Sequence, residues 1–389
     1  MNNFIFENGT KAILGRGCVK EFLACFLNRY GEHVLLAYGG GSIKKNGIYD
    51  EIMGILKAGN KTVTEFGGIM PNPTYEKVLE GAELARENHT DVILAVGGGS
   101  VMDCCKAMSL AARYEGDIWT DFWEKQERID FEPVPLCIVV TASGTGSEMN
   151  GGAVITNEKK KIKTGRDYPQ CNAKLALMDP TYTYSLPKKQ MLSGAFDTLS
   201  HIMEIYFSGP DEPNVSDDLA EALMRGVVRD LRAAIRNPQD YTARSNLMWE
   251  ASMAENRILK LGKKMDFECH MIEHQLGAYT NCNHGEGLAV LHPVYYRHIC
   301  QAGAAKFARF ATEVWGIPAD GKTQRELAQE GVEALAAFIK EIGLPTRLSE
   351  LGIEPETNLK EIADSCLCMQ GAYRVMNQEE ILDIFQECL

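Results

Sequence analysis

Three short segments in the second half of the chain carry histidines and a carboxylate at helical spacing. Asp197 and His201 lie four residues apart, so a helix would place both on one face. His270 and His274 repeat that spacing, and His284 follows shortly afterwards. A single histidine on an apolar helix is usually a core residue, but three such segments favour a metal site. One oxygen ligand with imidazoles suits Fe(II), Zn(II), Mn(II) or Ni(II) better than calcium or a thiolate-preferring ion.

The tetrapeptide GGGS occurs twice in the first half, each time after an apolar run typical of a strand. Gly97–Ser100 leads into a helical pattern, where exposed backbone N–H groups and the helix N-terminus favour a pyrophosphate. Gly39–Ser42 lacks the acid that dinucleotide enzymes often use to hold the adenosine ribose, and Lys44 and Lys45 follow it. The loop Gly39–Ser42 therefore predicts a preference for NADP(H) over NAD(H). The alternatives are ligand-free turns and two solvent-facing lysines, since neither spacing is GxGxxG.

A third polar loop, TASGTGSEMN at 141–150, follows the apolar run LCIVVT. The hydroxyls of Thr141, Thr145 and Ser147 could bind a ribose, a phosphate or a carboxamide. The prediction is weak when taken alone, because Ser, Gly and Thr also make plain turns.

The elements that must position these groups follow two patterns. In the first half, strand-like runs alternate with helical stretches, which predicts a doubly wound, mostly parallel sheet; the runs are HVLLAY, KTVTEF, DVILAV, LCIVVT and ALMD, with GAVITNEKKKIKTG as a hairpin. From SLPKKQMLSGAFDTLSH onward only helical patterns follow. We therefore predict an α/β dinucleotide-binding domain at 1–184 and an all-α metal-binding domain at 185–389.

The composition limits the class of protein. A chain of 389 residues exceeds one comfortable core, and a net charge of −13 argues against nucleic acid or anionic membranes as partners. The N-terminus lacks the pattern of a signal peptide, and no run approaches a membrane span. Twelve cysteines without a CxxC pair are interpreted as reduced thiols, so we expect a cytoplasmic protein.

Several motifs, in this order and spacing, resemble the iron-containing, or group III, alcohol dehydrogenases, in the branch of NADPH-dependent butanol dehydrogenases and broad aldehyde reductases. The resemblance covers essentially the whole chain and is carried by YGGGSIKKNG, FGGIMPNPTYE, AVGGGSVMDCCK, GTGSEMNGGAVI, ALMDPTYTYSLP, FDTLSH and HMIEHQLGAYTNCNHGEGLAV. It implies a dehydroquinate synthase-like architecture, a homodimer and a small alcohol or aldehyde substrate.

The resemblance also implies roles for individual residues. It assigns one divalent ion, with Fe(II) favoured over Zn(II), Mn(II) or Ni(II), to Asp197, His201, His270 and His284. It places His274 beside nicotinamide and substrate, where we predict a proton-transfer role for it. The implied cofactor-binding residues are Gly39, Gly40, Ser42, Asn72, Gly97, Gly98, Gly99, Ser100, Asp103, Thr141, Thr145, Ser147, Lys163 and Tyr182.

The expected reaction is reversible hydride transfer between NADP(H) and a small primary alcohol or aldehyde such as butanol or butanal. Two alternatives belong to other classes of protein. One is a metal- and NAD-dependent cyclase similar to dehydroquinate synthase, which would need a basic phosphate-substrate pocket. The segments around the predicted metal contain no Lys or Arg and so favour an uncharged substrate. The other alternative is a nucleotide-sensing protein that binds NADPH without turnover.

Overall fold

A computed structural model describes residues 2–370 and 373–389. The chain divides into two compact units. The first, here called the sheet unit, comprises Glu7–Pro187 and Pro238–Asn256. The second, called the helical unit, comprises the described residues of 2–6, Lys188–Asn237 and 257–389.

The sheet unit is built on a six-stranded parallel sheet with strand order β1-β8-β5-β4-β2-β3. Each predicted strand is present, and the apolar runs HVLLAY, DVILAV, LCIVVT and ALMD form strands that are buried on both faces. A separate antiparallel hairpin is formed by β6 and β7. The strands are β1 (Lys11–Leu14), β2 (His33–Tyr38), β3 (Thr62–Phe66), β4 (Val92–Gly97), β5 (Leu136–Val140), β6 (Gly152–Asn157), β7 (Ile162–Asp167) and β8 (Leu175–Met178).

Helices cover both faces of this sheet. One buried cluster joins α4 and α5 to one face, and another joins α1 and α3 to the opposite face. The α-helices of this unit are α1 (Cys18–Leu27), α2 (Ser42–Lys45), α3 (Ile48–Ala58), α4 (Tyr75–Glu87), α5 (Gly99–Ala111) and α8 (Tyr241–Glu255). The predicted fold class, a doubly wound α/β domain with a helical domain after it, is confirmed.

The helical unit contains the remaining α-helices, and several begin at residues whose side chains cap them. Asn214 accepts from the backbone N–H of Asp217, and Thr323 with Glu326 forms a capping box. The helices are α6 (Lys188–Tyr206), α7 (Val215–Arg236), α9 (Glu268–Thr280), α10 (His284–Ile299), α11 (Ala304–Glu313), α12 (Gln324–Ile342), α13 (Leu359–Ser365) and α14 (Gln378–Glu387). Among the described residues, every helix is too short or too polar to cross a membrane.

The observed division differs from the predicted one in the placement of α8. The prediction grouped this helix with 185–389, whereas it belongs to the sheet unit. Arg244 on α8 donates to the hydroxyl of Thr183 at 2.8 Å, and Ser252 donates to the buried carboxylate of Glu148. These contacts join residues far apart in sequence, so helical periodicity could not reveal them.

Candidate metal centre and cofactor loops

The three metal-type segments meet inside the helical unit. Asp197 and His201 lie on α6, His270 lies on α9, and His284 is the first residue of α10. Imidazole nitrogens surround the Asp197 Oδ1 atom at 3.8 Å (His201 Nδ1), 3.7 Å (His270 Nε2) and 3.4 Å (His284 Nε2). The structure therefore brings all four predicted metal ligands together, and their assignment as the ligand set stays a prediction.

Two further buried carboxylates orient two of these imidazoles. The Nδ1 atom of His270 is hydrogen-bonded to Glu204, and the Nδ1 atom of His284 is hydrogen-bonded to Glu273. Each bond leaves the Nε2 atom of its imidazole facing Asp197. A carboxylate behind a histidine fixes the ring and makes its other nitrogen a better metal ligand. Neither Glu204 nor Glu273 was predicted from the sequence to be part of the site.

The segment NCNHGEG shows how the chain positions His284. Asn283 caps α10 by accepting from the Glu286 N–H at 3.1 Å, and its side chain also accepts from Ser193 on α6. A Cβ atom on Gly285 would lie 2.2 Å from the Ser193 carbonyl oxygen, so glycine permits the first turn of α10 to approach α6. His284 is thereby held next to the helix that carries Asp197.

The electrostatics of the cluster favour a cation. Burial opposes ionisation of Asp197, but His201 and His284 hold its pKa well below its usual range. Burial also opposes protonation of His270, yet Glu204 and Asp197 raise its pKa to about 10. Within the described part of the chain, Asp197 Oδ1 and His270 Nε2 are buried and make no hydrogen bond. An environment that attracts a proton to an imidazole also attracts a metal ion, and the donor set of carboxylate and imidazoles suits a divalent transition metal.

Two other histidines lie near this cluster. His274 is buried one turn after His270, and its ring centroid is 5.5 Å from that of His284. Its ligand atoms, with those of Glu273 and His284, form a second group of metal-type atoms. His292 was not predicted; it is fully buried, contacts Ser200 at 2.5 Å, and has its pKa lowered to about 3 by burial. Its position eight residues after His284 was the available signal.

In the sheet unit, the predicted pyrophosphate loop Gly97–Ser100 lies very close to the loop that follows β5. The strand β4 ends at Gly97 and α5 begins at Gly99. A Cβ atom on Gly99 would lie 2.4 Å from the Thr145 side chain, and one on Gly98 would lie 3.1 Å from Ala142. The backbone N–H of Thr141 donates to the Gly97 carbonyl at 3.0 Å. The loops after β4 and β5 therefore adjoin at the carboxyl edge of the sheet, where open α/β sheets bind ligands.

A buried lysine links the polar groups beside this loop. Lys106, fully buried on α5, donates to Ser147 Oγ at 2.8 Å, to Asn150 Oδ1 at 3.0 Å and to the Gly152 carbonyl at 2.7 Å. Asp103 accepts from the same Ser147 hydroxyl. Asp103 and Ser147 are among the predicted cofactor residues, whereas Lys106, one helical turn after Asp103 on α5, was not predicted.

The other predicted cofactor residues are spread over several parts of the sheet unit. Asn72, with φ of +52°, precedes Pro73, whose carbonyl accepts from the Thr156 N–H at 2.9 Å. Lys163 is buried and pairs with Thr156 across the hairpin, so Asn72 and Lys163 belong to one region. The Tyr182 hydroxyl donates to Glu51 on α3 at 2.8 Å. Around Gly40 a Cβ atom would meet no heavy atom within 4 Å. Roles for these residues in cofactor binding stay predictions.

Comparison with known proteins identifies the family. Residues 9–180 match the profile described as "Iron-containing alcohol dehydrogenase", and residues 191–389 match that of the "Fe-containing alcohol dehydrogenase family, C-terminal". The chain is 38% identical to the NADH-dependent butanol dehydrogenase A of Clostridium acetobutylicum over 391 residues, with 100% of both chains covered. It is 33% identical to the NADPH-dependent aldehyde reductase YqhD of Escherichia coli, covering 91% of this chain and 90% of that one.

Solved structures support the same relationship. The crystal structure of the NADH-dependent butanol dehydrogenase A from Thermotoga maritima matches with a TM-score of 0.93 at 37% identity, covering 100% of this chain and 99% of that one. The two family profiles and this structural match together cover nearly the whole chain. The chain therefore belongs to the iron-containing alcohol dehydrogenase family, and its activity is that of an alcohol dehydrogenase or aldehyde reductase.

Proposed function

We propose that the protein reversibly reduces small aldehydes such as butanal to primary alcohols, with NADP(H) preferred over NAD(H). The observation that carries the proposal is the group of buried Asp197 and three imidazoles around it, two of which are hydrogen-bonded to buried carboxylates. The relatives support the substrate class, since they include butanol dehydrogenases and an aldehyde reductase. The homodimer implied by the resemblance stays a prediction.

The residues of the cluster have different proposed roles in the reaction. When bound, a divalent ion would polarise the carbonyl oxygen as a Lewis acid, and the nicotinamide would supply the hydride. Asp197, His201, His270 and His284 would hold the ion, with Fe(II) favoured. Glu204 and Glu273 fix the tautomers of His270 and His284, so that each presents a neutral Nε2 atom as a ligand.

His274 is the proposed proton-transfer residue. Reduction of an aldehyde needs a proton at the alcohol oxygen, and an imidazole has a reference pKa close to neutrality. His274 is buried within the same cluster, and its ring centroid lies 6.1 Å from that of His270. We propose that it donates a proton through an imidazole nitrogen during reduction and accepts one during alcohol oxidation.

The preference for NADP(H) follows from the loop after β2. Gly39–Ser42 contains no carboxylate that would repel a 2′-phosphate, and Gly40 has open space around it. The relatives include butanol dehydrogenases named for NADH and an aldehyde reductase named for NADPH. The preference between the two coenzymes therefore has to be argued from the residues of this chain.

A carboxylate introduced at Gly40 tests this preference. We expect Gly40→Asp to raise the KM for NADPH by about tenfold, because its carboxylate would repel the negative charge of the 2′-phosphate. The KM for NADH is expected to change by less than about threefold. Steady-state kinetics with both coenzymes measures the ratio, and Gly40→Asn controls for the added bulk. Equal increases for both coenzymes would show that the loop does not contact the 2′-phosphate.

The proposed reaction is tested by following NADPH absorbance anaerobically with a panel of aldehydes that includes butanal. The protein is first stripped of metal by a chelator and then supplied with Fe(II) or Zn(II). We expect net, lasting NADPH oxidation that requires both the metal and the aldehyde. Binding of NADPH without turnover of any aldehyde would favour the nucleotide-sensing alternative. Transient use of NAD without net consumption, with a phosphorylated substrate, would favour the cyclase.

A further inference from the structure

An ammonium group at the edge of the sheet unit is enclosed by two tyrosines and a carboxylate. Lys44 Nζ lies 4.9 Å from the ring centroid of Tyr38 and 4.5 Å from that of Tyr49. It donates to Glu65 Oε2 at 3.1 Å. The hydroxyls of both tyrosines also donate to Glu65, each at 2.7 Å. We call Tyr38, Tyr49 and Glu65 the Lys44 cage.

The carboxylate of the cage and the ammonium group of Lys44 are each held in place by several contacts. Hydrogen bonds from Tyr49 and Tyr38 lower the pKa of Glu65, which keeps it ionised. The two ring faces and Glu65 together hold Lys44 by cation–π contact and by charge. The pair therefore adds no net charge to this part of the surface, although the sequence alone shows two consecutive lysines.

The Lys44 cage lies next to Gly39–Ser42, the loop that is proposed to set the coenzyme preference. Tyr38 is the last residue of β2, and Gly39–Ser42 follows it directly. Tyr38 pairs with Val96 of β4, the strand that leads into the predicted pyrophosphate loop, and Glu65 lies next to the end of β3 on the other side of β2. In doubly wound sheets the strand beside the pyrophosphate strand carries the group that meets the adenosine ribose. The side chains of Lys44 and Glu65 remain 45% and 39% exposed, so a bound phosphate can reach them.

We infer that Glu65 is a specificity-determining residue, which limits the preference for NADP(H) by cancelling the charge of Lys44. The inference rests on the proposed function, because it concerns the coenzyme of that reaction. A 2′-phosphate carries between one and two negative charges and would gain from an unpaired ammonium group. Glu65 removes that gain, and NADH, which has no 2′-phosphate, is indifferent to it. The ion pair thus makes NADH a usable second coenzyme.

Four proteins that differ in the charge of the Lys44–Glu65 pair test the inference. The pair has a net charge of zero in the wild type, plus one in Glu65→Gln, minus one in Lys44→Met and zero in the double variant. We expect Glu65→Gln to lower the KM for NADPH about three- to tenfold and Lys44→Met to raise it by a similar factor. The double variant should return close to the wild-type value. The KM for NADH should stay within about twofold throughout, with kcat unchanged, since only one end of the coenzyme is affected.

Two measurements separate this effect from a general loss of structure. Titration of each protein with NADPH and NADH, followed by nucleotide fluorescence, gives Kd values without turnover and should reproduce the same order. Raising the salt concentration should reduce the differences, because exposed charges are screened over about 8 to 10 Å at physiological ionic strength. Glu80→Gln is the matched control: it removes an exposed carboxylate that pairs with another lysine, Lys77 Nζ, at 2.9 Å, and should leave both KM values unchanged.

The outcomes are distinct from those of the proposed function. Equal changes for NADPH and NADH, no change in any variant, or a double variant that behaves like Glu65→Gln would each overturn the inference. The aldehyde reductase assignment would stand in all three cases. If the four proteins show the expected order of Kd values for NADPH but the wild type reduces no aldehyde, the proposed reaction is contradicted while the role of Glu65 is supported.

Discussion

Replacing His270 by alanine is expected to remove the bound divalent ion and to lower the rate of aldehyde reduction by about 10³-fold or more. His270 Nε2 lies 3.7 Å from Asp197 Oδ1, and its other ring nitrogen is hydrogen-bonded to Glu204. Alanine would leave Glu204 buried without its imidazole partner and would remove a nitrogen ligand from the centre. Metal analysis of the purified protein, together with NADPH oxidation by butanal, measures both effects.

Two other histidines give matched controls for His270→Ala. His274→Ala should keep the metal while the rate falls, because His274 is proposed to transfer a proton and not to bind the ion. His298→Ala should change neither property, since this residue lies at the far end of α10 and contacts Glu387 at 2.9 Å. Metal content and activity near wild type in His270→Ala would show that the predicted centre is wrong. Loss of metal in His274→Ala would make that residue a ligand or a support of the centre.

The sheet was predictable because most of its strands can be recognised from their own residues. Central parallel strands are buried on both faces, so β2, β4 and β5 are contiguous apolar runs that stand out from polar surroundings. The edge strand β1 is four residues long and only partly buried, and the sequence analysis did not predict it. The placement of α8 depends on contacts with Glu148 and Thr183, which no local pattern encodes.

The grouping of the four predicted metal ligands was partly predictable for a related reason. Asp197 and His201 are one helical turn apart, so their common face follows from local geometry. The position of Glu204 opposite His270 depends on how α6 packs against α9, and helical spacing cannot show it. One signal was present, however: Glu204 follows Asp197 by seven residues, which is two turns, and so lies on the same face of the helix. An acid in that position is expensive to bury unless it has a partner.

Lys44 shows the opposite case, in which a sequence pattern was incomplete. Two consecutive lysines after Gly39–Ser42 suggested free positive charge for a 2′-phosphate. The partner of Lys44 lies on the neighbouring strand, at Glu65, and only the pairing of β2 with β3 brings them together. Charge read along a sequence therefore overestimates the field at a site when the compensating group comes from another element.

The second large effect is expected for Glu204→Gln, which should weaken metal binding by about 10- to 100-fold. Glu204 is almost fully buried, contacts His270 Nδ1 through one oxygen and accepts from the Cys269 N–H at 2.8 Å through the other. Glutamine keeps the size of the side chain but removes its charge, and its NH₂ group must face a donor at one of these two positions. The imidazole then loses both its fixed orientation and the negative charge that makes Nε2 a stronger ligand.

Competition with a chelator of known affinity measures the metal Kd of Glu204→Gln, while thermal unfolding of the metal-free protein measures stability. Glu221→Gln is the matched control, because Glu221 is also a buried acid of the helical unit but accepts from Tyr206 at 2.8 Å, outside the cluster. It should lower stability without changing the metal Kd. Glu273→Gln should behave like Glu204→Gln, since Glu273 holds His284 in the same way. An unchanged metal Kd in both variants would mean that the two carboxylates stabilise the fold alone, and that His270 and His284 do not need them as ligands.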